Sequence, residues 1–172
     1  MWLSTAAAYV IIALVALQRL AEVVYAERNT RALLARGAVE IGRNHYPFIA
    51  ILHAAWLVAI LLLLPHPAPV YGIALVVFVV LQLARLWVLA TLGPYWTTRI
   101  VTLPGVPLVK RGPFKYVRHP NYTVVAGEIL VFPLVFGEVW VAAVFTALNG
   151  AMLFWRIREE DRALAARRAL AE

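Results

Sequence analysis

The chain has 172 residues, of which 63% are hydrophobic and only 15% charged, and it carries a net charge of +7. A mean hydropathy of +0.80 exceeds what one soluble core of this length can bury, so lipid must be part of the solvent. The basic excess sits in loops between apolar runs, which argues against a nucleic-acid partner, and the absence of cysteine excludes disulfides, thiolate metal sites and cysteine nucleophiles.

A spanning helix needs about 20 predominantly apolar residues. Residues 2–25 meet this requirement with neither a basic flank nor a small-residue cleavage site before the run ends, so a retained helix is expected rather than a signal peptide. Between Arg28 and Arg43, leucines and alanines alternate with arginines at helical spacing, which reads either as a short amphipathic interfacial helix or as a juxtamembrane loop. Residues 46–64 and 70–92 are two further spans. The stretch from Thr97 to Tyr122 holds Pro104, Pro107, Pro113 and Pro120 with Gly105 and Gly112, which excludes a regular helix and predicts ordered backbone folded against the membrane face. Residues 122–155 are long enough for two spans, with Phe136-Gly137-Glu138 as the turn. Pro133 is expected to kink or end the first of them. The tail from Glu159 to Glu172 should carry the last helix into water. The predicted fold is all-α: a polytopic membrane protein of about five transmembrane helices, a single membrane domain over 1–172. Residues 1–69 supply N-terminal helices and the interfacial segment, and 70–172 a catalytic part with its cofactor pocket.

Lysine and arginine are distributed asymmetrically. Arg28, Arg31, Arg36 and Arg43 follow the first span; Arg99, Lys110, Arg111, Lys115 and Arg118 follow the third; Arg156, Arg158, Arg162, Arg167 and Arg168 follow the fifth. The other two connections have no Lys or Arg. This alternation predicts a multi-pass protein of the cell membrane with its N-terminus outside and its basic loops and C-terminus in the cytoplasm.

Polar groups inside the spans mark either structure or function, because an ionisable side chain in hydrocarbon needs a partner or a wet cavity. Gln18, Arg19 and Glu22 lie in the first span, and Gln82 and Arg85 in the third. Arg19 and Glu22 are three apart and suited to neutralise each other. Arg85 has no acidic neighbour on its own helix, so its partner must come from another helix or from a ligand. Two further clusters border the membrane. Arg118-His119-Pro120-Asn121-Tyr122 leads into a helix with proline at its first position, where free amides suit an anionic group. His119 is either an ordinary residue of that helix start or a catalytic one. Arg156-Ile157-Arg158-Glu159-Glu160 ends the last span, with Arg156 and Glu160 on one face, and reads either as a site or as a solvated helix end. The four histidines lack companions at ligand spacing, so no metal site is expected.

The run Gly112-Pro113-Phe114-Lys115-Tyr116-Val117-Arg118-His119-Pro120-Asn121-Tyr122, followed by Arg156 to Glu160, resembles the signature of the isoprenylcysteine carboxyl methyltransferase family over roughly residues 82–164. The resemblance implies a membrane-embedded enzyme that uses S-adenosylmethionine without a Rossmann domain, with a cytoplasm-facing pocket and a lipophilic or prenylated substrate reaching it from the bilayer. It implies that His119, Tyr122 and Glu159 bind the cofactor, with Arg118 and Pro120 nearby. Arg156, held by Glu160, is implied at the anionic oxygen of the acceptor, while Tyr122 or Trp96 suits either the sulfonium cation or anchoring at the membrane interface. Many family members have glycine two residues after the motif tyrosine, whereas this chain reads Tyr122-Thr123-Val124. With Asn121 and Glu128, that departure looks like a bacterial branch, for which the resemblance implies O-methylation of alkylpyrones or phenolic lipids. Phospholipid amine methylation and a non-catalytic transporter or membrane subunit are the other readings. The oligomeric state is left open.

Overall fold

The structure, a computed structural model, describes residues 4–43 and 46–169. Five helices appear in chain order: α1 (Thr5–Ala35), α2 (Tyr46–Leu63), α3 (Gly72–Leu92), α4 (Pro120–Val135) and α5 (Val139–Ala169). Two three-residue strands, β1 (Val39–Ile41) and β2 (Ile100–Thr102), pair antiparallel, with Val39 opposite Thr102 and Ile41 opposite Ile100. The chain is an all-α polytopic membrane protein. Helices α1, α2, α3 and α5 are long and apolar enough to span a bilayer. Helix α4 has 16 residues, which at about 1.5 Å per residue gives roughly 24 Å, short of a hydrocarbon core of about 30 Å. The predicted start of the first span at Trp2 and the tail beyond Ala169 lie outside the described residues.

Helix α1 starts where Ser4 accepts the Ala7 amide on its side-chain oxygen at 3.2 Å. It runs past the predicted end of the span and takes up the first half of the supposed interfacial segment. The cause lies at Gly37, whose φ of +87° ends the helix. The Ala38 amide then reaches back to the Leu33 carbonyl and the Gly37 amide to that of Leu34, a Schellman cap. Ala38 and Leu33 pack with Leu103, so the cap is sealed against the loop that follows α3. The second half of the segment is β1 rather than amphipathic helix.

At the end of the bundle opposite to the ribbon, the Tyr71 amide donates to the Val135 carbonyl, and Gly137 lies against Tyr71 and Pro69. The two connections without Lys or Arg therefore meet at one end. At the other, β1–β2 pairing joins the first basic connection to the second, and Arg167 of α5 donates to the Val106 carbonyl. Pro133 is fully buried and α4 continues only two residues beyond it.

The core nearer the non-basic end is centred on Phe132, whose ring stacks on Phe78 at 4.5 Å and tilts against Trp56 at 5.7 Å. Ala8, Ile12 and Ile60 complete it. On the outside, Ile73 is 85% exposed, Leu62 75% and Val24 70%. Apolar surface of that extent is stable only against acyl chains.

The polar residues of the spans converge into one buried cluster. Arg85 donates through Nε to Glu22 at 2.7 Å, makes a second close bond to the same carboxylate, and reaches Glu128 of α4 at 3.0 Å. Arg19 bridges the same two acids, at 3.1 Å to Glu22 and 3.0 Å to Glu128. Gln18 and Gln82 close the edge, the latter donating to the former at 2.6 Å. Arg85 takes its partners from α1 and α4, so of the two sources its isolation on α3 left open, another helix or a ligand, the structure shows the first.

Candidate active site

A cavity of about 550 Å³ opens at the basic end, walled by the loop between α3 and α4, the first turn of α4 and the final turns of α5. This volume lies within the range of about 300–1,000 Å³ typical of small-molecule sites. Helix α5 contributes Arg156, Glu160, Leu164 and Arg167, spaced four, four and three apart and thus on one face. Helix α4 contributes Pro120, Asn121 and Tyr122 after Arg118 and His119. Proline fixes the first helical φ, so Tyr122 is aimed across the cavity from a rigid start.

At the centre, Arg156 is 7% exposed. Its Nε donates to the Tyr122 hydroxyl at 2.8 Å and its Nη2 to the Thr98 carbonyl at 2.5 Å. Tyr122 in turn donates to Glu160 in a close hydrogen bond. Arg156 and Glu160 are thus joined through the phenol, and the direct grip suggested by their spacing is replaced by this bridge. Among the described residues the direct hydrogen-bond partners of the guanidinium are neutral oxygens, and the Glu160 carboxylate reaches it through the phenol. His119 stacks on Tyr122, with ring centroids 5.5 Å apart. Its Nε2 lies 3.1 Å from Asp161 and its Nδ1 3.8 Å from Glu160. Arg118 is mostly exposed and reaches Asp161 at 3.2 Å.

Of the residues expected at the site, Arg118, His119, Pro120, Tyr122, Arg156 and Glu160 line the cavity. Glu159 does not. Successive helical residues diverge by about 100°, and the Glu159 carboxylate turns to Arg162 at 3.0 Å. Three contributors were not singled out from sequence. Asp161 orients His119; Thr98 acts through its backbone carbonyl, which no residue identity reveals; Arg99 lines the cavity while binding Glu40 at 3.2 Å and Glu27 at 3.4 Å and capping the Tyr46 ring at 4.9 Å. Glu27 within α1 and Glu40 within β1 were the available signal for Arg99.

Residues 73–166 match the isoprenylcysteine carboxyl methyltransferase family. The chain belongs to that family. This isoprenylcysteine carboxyl methyltransferase family member is 40% identical over 161 residues to an uncharacterized protein of Bacillus subtilis, YpbQ, covering 91% of this chain and 95% of that one. It is 29% identical over 150 residues to an uncharacterized protein of Haemophilus influenzae, covering 80% and 83% respectively. No solved structure matches. The family assignment makes the chain a membrane methyltransferase in kind, and the matched segment contains every described α4 and α5 side chain that lines the cavity except Arg167.

Proposed function

We propose that this protein transfers a methyl group from S-adenosylmethionine to an anionic oxygen, a carboxylate or acidic hydroxyl, on a lipophilic acceptor. The observation that carries the reading is Arg156: a buried guanidinium facing a cavity, bonded directly to neutral oxygens, beside a carboxylate held by Tyr122. Such a group binds an oxyanion with a charge-assisted fork. The cavity also suits the cofactor. Buried polar atoms of three lining residues, Asn121 Oδ1, Trp96 Nε1 and Arg99 Nε, have no hydrogen-bond partner among the described residues, which leaves one acceptor and two donors unused at the cavity wall. His119, Asn121, Tyr122 and Glu160 would hold it, and the group supplies a sulfonium methyl as the electrophile.

The chain's own task is then alignment rather than strong acid or base chemistry. Holding the two reactants at about 3–3.5 Å in line is worth up to roughly 7–11 kcal/mol of barrier. Arg156 fixes the oxyanion, Tyr122 and Thr98 fix Arg156, and Asp161 and Glu160 fix His119. A cationic amine acceptor is disfavoured beside Arg156, which ranks phospholipid N-methylation below O-methylation. The prenylcysteine-type carboxylate and the alkylpyrone-type hydroxyl share the same apolar-tailed anion. Convergence of the three basic segments at the cavity's end favours a cell-membrane protein with this site facing the cytoplasm.

The deciding experiment is calorimetric titration of lipid-supplemented, detergent-purified protein with S-adenosylmethionine. It is followed by transfer of a labelled methyl group to chain-matched carboxylate, hydroxyl and amine acceptors. The expected result is binding with Kd of about micromolar order. Arg156→Ala should retain that binding, yet lose about 100-fold or more in kcat/KM, the equivalent of two decades at about 1.36 kcal/mol each. Wild-type protein that binds no cofactor would return the chain to the transporter or membrane-subunit reading.

A further inference from the structure

The segment 103–110 forms a cavity wall without forming secondary structure. Pro104 and Pro107 have no amide hydrogen to give to a ladder, and Gly105 sits at φ +75°. The segment is anchored at its ends. Leu103 is buried against Leu33 and Ala38, and beyond Lys110 the Arg111 guanidinium reaches the Thr91 carbonyl at 3.5 Å before Gly112 turns the chain. Between those anchors, the polar ties of 103–109 among the described residues are a long turn bond from the Val106 amide to the Leu103 carbonyl at 3.4 Å and the side chain of Arg167.

Arg167 donates through Nε to the Val106 carbonyl at 2.7 Å and through Nη2 to the Pro107 carbonyl at 3.4 Å. It lies on the aqueous extension of α5, where a guanidinium is most stable in water, yet it is only 9% exposed. Among the described residues its hydrogen-bond partners are carbonyls rather than a carboxylate. Burial without ion pairing needs compensating bonds, and the planar fork of arginine, which lysine lacks, is matched to two successive carbonyls.

We infer that Arg167 is a positioning residue that latches the 103–110 segment onto α5 as the wall of the binding cavity and so sets how long a ligand stays bound. The inference rests on the cavity being the ligand site proposed above. Arg167 lies three residues beyond Leu164 and seven beyond Glu160 on the cavity face, so the helix carrying the charged groups of the site also holds its opposite wall. The latch is local: opening it breaks the two Arg167 hydrogen bonds and loosens the packing of Val106 on the Leu33–Ala38–Leu103 cluster, with Leu103 and Arg111 still anchoring the ends.

Two measurements separate the latch from the site reading. Hydrogen–deuterium exchange of ligand-free wild type, Arg167→Ala and Arg167→Lys reports on the wall directly, with amides within α3 and the bilayer part of α5 as the folding control. The expected result is about tenfold faster exchange at Val106, whose amide bonds the Leu103 carbonyl, in Arg167→Ala, the loss of roughly one net hydrogen bond, with unchanged control amides. Arg167→Lys should fall between the two, because it keeps the charge without the fork. Stopped-flow binding of S-adenosylmethionine should then show a faster dissociation rate in Arg167→Ala at a near-unchanged association rate. Unchanged exchange at the wall overturns the latch. Faster exchange with unaltered dissociation overturns its positioning role, and full rescue by lysine overturns the fork. Wild-type protein that binds no cofactor overturns the site reading and the ligand-holding role with it, whereas the exchange result still decides the mechanical tie.

Discussion

At the scale of single residues, the site turns on the Tyr122 hydroxyl. It accepts from Arg156 Nε and donates to Glu160, so one oxygen keeps a cation and an anion at fixed separation instead of letting them collapse into a pair. Were they to collapse, Arg156 would spend its charge on Glu160 and lose its hold on an acceptor. Tyr122→Phe keeps the ring that stacks on His119 and removes only that oxygen. Hydrogen bonds to charged groups are worth about 1.5–3 kcal/mol, so kcat/KM should fall by roughly 10- to 150-fold with the helical content unchanged. Steady-state kinetics on a carboxylate or hydroxyl acceptor test this, and an undiminished rate would remove the bridge from the mechanism. The neighbouring acids make a second contrast. Glu160→Gln should weaken cofactor binding about tenfold or more, in line with loss of a charged partner. Glu159→Gln removes a carboxylate whose partner is the exposed Arg162 and should change it by less than about twofold. Calorimetry on the two variants side by side distinguishes them.

At the scale of elements, the turn joining α4 to α5 carries a pH dependence. Glu138 is 7% exposed, neither carboxylate oxygen has a hydrogen-bond partner among the described residues, and burial pushes its carboxyl up to about 7. A carboxyl raised in the folded state holds its proton better there than in the unfolded chain. Stability is therefore greatest below about pH 4.5 as far as this group is concerned, and falls as pH rises from there through about 7. Glu138→Gln should flatten the loss of thermal midpoint between pH 5 and about 8 in detergent; an identical slope in the variant would exclude Glu138 as its source. The Phe136-Gly137-Glu138 turn itself was legible in the sequence, as were the helix start at Pro120 and the four helices long enough to span. Each rests on a local signal: hydropathy over a bilayer's length, a glycine bearing positive φ, a proline at the first helical position. The extension of α1 to Ala35 and the β1–β2 ribbon were not legible. Their cause is non-local, since the α1 cap is sealed by Leu103 some seventy residues later. The same holds within the site. The Arg118–Tyr122 and Arg156–Glu160 clusters could be paired through family resemblance, but the Thr98 carbonyl and the turning away of Glu159 depend on rotation and backbone direction that residue identity does not encode.

At the scale of the whole molecule, the bundle has two ends with different tasks and a charged layer between them. Phe132 and its aromatic neighbours fill the non-basic end, while the cavity and the tethered loop occupy the other. Arg19, Glu22, Arg85 and Glu128 lie within the spans, two cations against two anions, joining α1, α3 and α4. An apolar bundle in lipid has little hydrophobic force to choose among helix rotations, because acyl chains are as apolar as leucine. Four charges that must meet provide that choice. Helix α4 is short and carries Tyr122 at its start and Glu128 two turns further on, so fixing Glu128 also fixes the rotation that presents Tyr122 to Arg156. Arg85→Leu leaves two carboxylates with Arg19 alone, and removal of one partner from a buried pair costs about 3–5 kcal/mol. The variant should therefore lose thermal stability and, in the fraction that remains folded, lose kcat/KM through misrotation of α4. Arg85→Leu combined with Glu128→Leu restores charge balance and should recover much of the thermal midpoint. If the layer only stabilises, activity returns with stability; if it sets the rotation of α4, the double variant regains its midpoint and remains impaired in catalysis. Measuring both quantities on the single and double variants in the same lipid-supplemented detergent decides between the two, and the two-sided bonding of Glu128, to Arg19 and to Arg85, leads us to expect the second result.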